Sequence, residues 1–164
     1  MKRLNIILTI ILILFYCSNG FTQSISPDKV VDVKVITPHA VSSQGIADVE
    51  VVLNVKKGWH LNANKPFDKN LSPTSISFKE NPAVQILKIT YPEPAIEKLP
   101  FSEQELALYE DNVIIKLQIK VIKKQGGQPI KLEGTVSYQP CNNETCLFPT
   151  SKPFTINLSS KKSK

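Results

Sequence analysis

Val31, Val33 and Val35 alternate with Asp32 and Lys34, and the same two-residue beat returns four more times along the chain. Val49, Val51, Leu53 and Val55 carry it next, then Ile115, Leu117, Ile119 and Val121. Leu132, Val136 and Tyr138 share a face with Gly134, and Phe154, Ile156 and Leu158 close the series. An extended strand turns each successive side chain to the opposite face, so this pattern marks half-buried antiparallel strands. Shorter candidates are Thr74–Phe78 and Val84–Tyr91. The connections are rich in helix-stopping residues, among them Pro38, Gly45, Gly58, Pro66, Pro73, Pro82, Pro92, Pro94, Pro100 and Gly126-Gly127. No long stretch has helical periodicity. Roughly seven to nine short strands in about 140 residues define an all-β chain, expected to form an immunoglobulin-like antiparallel β-sandwich.

The first 22 residues stand outside that pattern. Lys2 and Arg3 precede an almost unbroken apolar run from Leu4 to Tyr16, and small or polar residues follow. That order reads as a signal peptide, residues 1–22, removed after Thr22. The run is shorter than the ~20 residues a spanning helix needs, so no membrane span is expected in the mature chain. Cys17 offers a competing reading as a lipoprotein anchor, but a lipid-attachment cysteine normally follows a small residue and Tyr16 precedes this one. One domain, residues 23–158, and a disordered basic tail, 159–164, account for the rest.

The chain of 164 residues has a formal charge of +6, and loss of Lys2 and Arg3 would leave +4. Lys161, Lys162 and Lys164 supply much of that remainder. A solvated tail explains the charge better than a nucleic-acid surface, because no basic stripe with interleaved aromatics accompanies it.

Cys141 and Cys146, with four residues between them, are the pair expected to survive processing. They occupy a loop between the strand ending at Tyr138 and one starting near Pro153, which should be hairpin neighbours close enough for a disulfide. As a structural staple the bond would contribute only ~2 kcal/mol of loop entropy, little for a domain this size. As a redox couple, the short loop would hold both sulfurs close in either oxidation state, so that either could resolve a mixed disulfide made by the other. Spacing alone leaves both roles open. A Cys2His2 metal site with His39 and His60 is a third reading, weakened by the lack of fixed histidine spacing and by the tendency of exported thiols to oxidise.

Tyr138-Gln139-x-Cys141…Cys146-x-x-Pro149, together with Gly58-Trp59-His60-Leu61-Asn62-Ala63-Asn64-Lys65-Pro66, resembles the amino-terminal periplasmic domain of the DsbD family of thiol:disulfide reductases. Tyr91-Pro92, Pro100-Phe101-Ser102 and Leu108-Tyr109-Glu110 extend the likeness across Val30 to Leu158. The resemblance implies an immunoglobulin-like fold and a periplasmic thiol–disulfide exchange domain. Electrons would come from a thioredoxin-like donor protein or domain. They would pass to periplasmic thiol proteins of the disulfide isomerase or cytochrome c maturation type. Cys146 would form the mixed disulfides and Cys141 would resolve them, with no cofactor and no metal. Phe101 is the candidate aromatic covering the cysteines, weighed against an ordinary loop or core phenylalanine. His60 and Trp59 would lie beside the pair. His60 is read as a proton donor to a thiolate or as a hydrogen-bonded structural residue, Trp59 and Tyr138 as core.

Two features depart from the family. Phe148 stands where relatives often carry proline, and the family's membrane and thioredoxin-like domains are not in this chain, so reduction by a separate protein is expected. The alternative is a non-enzymatic immunoglobulin-like interaction module with a structural disulfide.

Overall fold

The computed structural model describes residues 25–37, 41–123 and 128–159. The leader read at 1–22, Cys17, His39, the turn at Gly126-Gly127 and the tail beyond Ser159 lie outside the described residues.

Alternation becomes strand wherever it was strong. After a short 3-10 turn, Pro27–Lys29, the chain forms β1 (Val31–Ile36), β2 (Ile46–Val55), β3 (His60–Asn62), β4 (Ser75–Phe78), β5 (Val84–Thr90) and β6 (Ala95–Glu97). Then come β7 (Leu106–Tyr109), β8 (Asn112–Val121), β9 (Ile130–Tyr138), β10 (Pro140–Cys141) and β11 (Thr150–Leu158). Every pairing is antiparallel. Three sheets result, ordered β1-β2-β8-β5, β10-β3-β7-β6 and β11-β9-β4. The apolar beat of β2, β8, β9 and β11 points into one continuous core, where Val51, Leu53, Ile115, Ile119, Val136 and Ile156 are fully buried. Each such side chain contributes about 1.5–3 kcal/mol by leaving water. The product is the expected all-β, immunoglobulin-like antiparallel sandwich.

Eleven strands form among the described residues, against the seven to nine expected. The additions are two to four residues long and lack alternation for a physical reason. In β7, Ala107 and Tyr109 face the main core, while Leu106 and Leu108 face a second cluster with Leu99. A strand buried on both faces shows no polar beat. Pro153 differs too: it lies inside β11 rather than at its start, opposite Thr135. β11 is an edge strand, where a residue without an N–H is tolerated.

Gly134 shows why the beat of β9 skips a side chain. It pairs with Phe78 on one side and Phe154 on the other. The two rings lean across it to a centroid separation of 5.9 Å at 84°. A Cβ at this position would come within 2.5 Å of the Phe154 ring. Gly134→Ala is therefore expected to destabilise the domain by about 1–3 kcal/mol, read as a lower urea midpoint. An unchanged midpoint would mean that the ring yields freely.

Candidate functional site

The cysteine loop leaves the end of β9 and makes one brief attachment to the second sheet. Pro140 pairs with Leu61, and Cys141 with His60. Partners across an antiparallel pair share a face, as do residues two apart on a strand. His60, Asn62 and Cys141 therefore lie on one face of this small ladder, while Leu61 between them enters the main core.

From Cys141 the chain turns back on itself and forms the Cys141–Cys146 disulfide, with Cα atoms 3.9 Å apart. That is closer than ordinary hairpin partners. Asn142 shapes the turn. Its side-chain oxygen accepts the backbone N–H groups of Glu144 and Thr145 at 2.9 and 2.8 Å. Its own N–H donates to Thr145 O at 2.9 Å, and Leu147 N–H donates to Pro140 O at 2.8 Å. This Asx-type closure is the local reason that the sequence folds sharply here.

The two sulfurs occupy unequal settings. Cys141 is completely buried. Cys146 is half-buried and borders an open cleft of ≈ 530 Å³ lined also by Ile25, Pro27, Gln139, Leu147 and Phe148. Phe148 is 87% exposed, which gives the cleft an apolar projection beside the accessible cysteine.

Beneath the pair runs a chain of carboxamides. Asn62, fully buried, donates from Nδ2 to Ser72 O at 3.2 Å and to Gln139 Oε1 at 3.0 Å. Gln139 Oε1 also accepts Ser72 N–H at 2.9 Å, and Gln139 Nε2 donates to Leu147 O at 3.1 Å. The remaining Asn62 atom, Oδ1, lies 3.9 Å from Cys141 Sγ.

His60 is buried beside the pair. Its Nδ1 donates to the Glu110 carboxylate, and its Nε2 lies 3.3 Å from Asn143 Oδ1 in the cysteine loop. Glu110 is delivered by the tight turn between β7 and β8, where Asp111 takes a left-handed backbone conformation, φ 52°. Aspartate tolerates that region better than most residues. Trp59 is partly buried against the core. Tyr138 is a core residue, 1% exposed, and burial pushes its phenol up to about 12.

Phe101 stands apart from these. It is 42% exposed in the turn after β6, on a groove with Asp68, Leu71, Ser102, Glu103, Gln104 and Leu106. The strand β6 and the cysteine-bearing β10 are opposite edges of the same sheet. His60 and the cysteines are thus brought together, while Phe101 lines a different depression. Asn62, Gln139 and Glu110 fall within the stretches that carry the family likeness, yet spacing gave no sign of their contacts. Among the described residues no group of three or more His, Cys, Asp or Glu side chains is arranged to hold a metal, and no helix is long and apolar enough to cross a membrane.

An all-β domain that carries a disulfide in a tight loop, one sulfur buried and the other at an apolar cleft, has the frame of a thiol–disulfide exchange domain. Residues 24–158 match the family described as thiol:disulfide interchange protein DsbD, N-terminal, and the chain belongs to that family. Among solved structures it is similar to the N-terminal periplasmic domain of ScsB from Proteus mirabilis. That match has a TM-score of 0.56 and 16% identity, and covers 83% of this chain and 49% of the other. The reduced N-terminal domain of Neisseria meningitidis DsbD matches at a TM-score of 0.49 and 18% identity, over 83% of this chain and 91% of the other. None of the curated proteins matches the chain.

The Tyr138 hydroxyl is buried with no hydrogen-bond partner among the described residues. A buried unpaired hydroxyl costs about 1–3 kcal/mol. Tyr138→Phe is expected to keep or raise the urea midpoint and to leave thiol exchange unchanged; a clear loss of stability would show that the hydroxyl has a partner.

Proposed function

We propose that this chain is a periplasmic thiol–disulfide exchange carrier, which takes electrons from a thioredoxin-like donor and passes them to client disulfides through Cys141 and Cys146. The observation that carries the reading is the unequal exposure of the two cysteines, Cys141 completely buried and Cys146 half-buried at the cleft. A donor thiolate reaches Cys146 through the open cleft and displaces Cys141, forming a mixed disulfide with Cys146. The donor's second thiol then attacks its own sulfur in that bond and leaves both cysteines reduced. In the outward direction Cys146 attacks a client disulfide, and Cys141, held beside it, resolves the mixed disulfide and re-forms the internal bond. The client leaves as a dithiol.

Family membership supports thiol-redox partners in general. The clients we propose are periplasmic thiol proteins of the disulfide isomerase or cytochrome c maturation type. The periplasmic assignment is supported by the Proteus mirabilis neighbour, itself a periplasmic domain. His60, on the cysteine face and tethered by Glu110, is the proposed proton source for a departing thiolate. Phe101 is retained as the proposed covering aromatic on the strength of the family resemblance alone.

Equilibration with glutathione and thioredoxin buffers tests the carrier. A couple that exchanges above about −300 mV is expected; one that stays oxidised below that value would behave as a structural disulfide and favour the interaction module. In the native host, Cys141→Ala should leave a thioredoxin-like protein covalently attached to Cys146. Separately, Phe101→Ala is expected to speed alkylation of the reduced thiols severalfold, and an unchanged rate would remove the shielding role.

A further inference from the structure

We propose that Asn62 is a positioning residue for the exchange reaction, its side-chain oxygen serving as the hydrogen-bond acceptor for the thiol of Cys141 in the reduced protein. The inference rests on the exchange reading above and adds a residue to it.

The orientation of this amide is fixed by backbone groups whose roles are not interchangeable. Ser72 N–H can only donate, so the Gln139 atom 2.9 Å from it is the oxygen. Leu147 C=O can only accept, so the Gln139 atom 3.1 Å from it is the nitrogen. Ser72 O and Gln139 Oε1 are then two acceptors at 3.2 and 3.0 Å from the same Asn62 atom, which must be Nδ2. A flip would set oxygen against oxygen twice. Asn62 Oδ1 is thereby directed at Cys141 Sγ, 3.9 Å away, at the outer limit of an S–H···O contact.

A disulfide sulfur has no hydrogen to give. In the oxidised state Asn62 Oδ1 therefore faces an atom that cannot satisfy it, inside a site where both residues are 0% exposed. Reduction supplies the missing donor. When the donor's thiolate attacks Cys146 Sγ, the Cys141–Cys146 bond breaks and Cys141 Sγ departs with its electron pair. It then takes a proton, and the new S–H meets Asn62 Oδ1. The donor's second thiol completes the step, so two thiols become a disulfide and the two protons they lose are balanced by the two that reach Cys141 and Cys146 by way of His60 and solvent. Buried acceptors are costly when unpaired, so the contact weighs on one side of the couple only. It also separates the roles of the cysteines. The reduced Cys141 thiol rests on Asn62 and gives up that proton when it resolves a mixed disulfide, while Cys146 keeps its access to the cleft.

Two measurements test this. In glutathione buffers, Asn62→Ala is expected to shift the equilibrium about fivefold toward the disulfide, the weight of one buried hydrogen bond. A purely structural Asn62 would destabilise both oxidation states alike and leave the constant within twofold of the parent, which would overturn the proposal. The second reading keeps Asn62 in place. In chemically reduced protein carrying Cys17→Ser and Cys146→Ala, the S–H stretch of Cys141 is expected at lower wavenumber than that of a free thiol. A band at the free-thiol position would overturn the proposal even if Asn62→Ala failed to fold. A shifted band with an unchanged equilibrium would also overturn it. The infrared measurement needs no exchange partner, so a couple too reducing for exchange would remove the carrier reading while the band still decides this one.

Discussion

The pairing of two residues of β10 with β3 is the constraint on which the site depends. It is a short attachment, Pro140 to Leu61 and Cys141 to His60. Without it the loop after β9 would belong to the third sheet alone. With it, Leu61 is anchored in the main core and the polar residues flanking it are turned toward the cysteines. The cost is a face of β3 that buries His60 and Asn62 away from water. Buried polar groups persist only when partnered, and the surrounding chain provides those partners. Glu110 takes one side of His60, and Ser72 and Gln139 take the nitrogen of Asn62. The chemistry of the pair is thus a property of the junction between two sheets rather than of the loop by itself.

The fold was legible where burial is one-sided. β1, β2, β8, β9 and β11 each place apolar side chains inward and polar ones outward, so their sequences announce them. The strands that were silent are β3, β6, β7 and β10. β7 is apolar on both faces, and β10 has two residues, too few for any period to register. These quiet strands make the entire sheet that carries Cys141. Much of the scaffold could therefore be read from local pattern, while the sheet that places the site could not.

The candidate residues divide along the same line. His60 lies opposite Cys141 across the short ladder, and Tyr138 is buried in the core. The contacts of Asn62, Gln139, Glu110 and Asn143 could not be read from spacing, because the main ones cross long sequence separations. His60 meets a carboxylate 50 residues away and an amide 83 residues away. No spacing rule reaches that far. Phe148, noted as a departure from the usual proline, is an exposed ring on the rim of the cleft.

The turn organised by Asn142 has a kinetic consequence. Its hydrogen bonds, from Glu144, Thr145 and Leu147, are all made by backbone and amide groups, and none involves sulfur. Opening the disulfide leaves that framework without a reason to relax. Each thiol then faces the other at a high effective molarity, because the entropy of bringing them together was spent when the domain folded. In the proposed exchange, a mixed disulfide on Cys146 would meet a Cys141 already in place to resolve it.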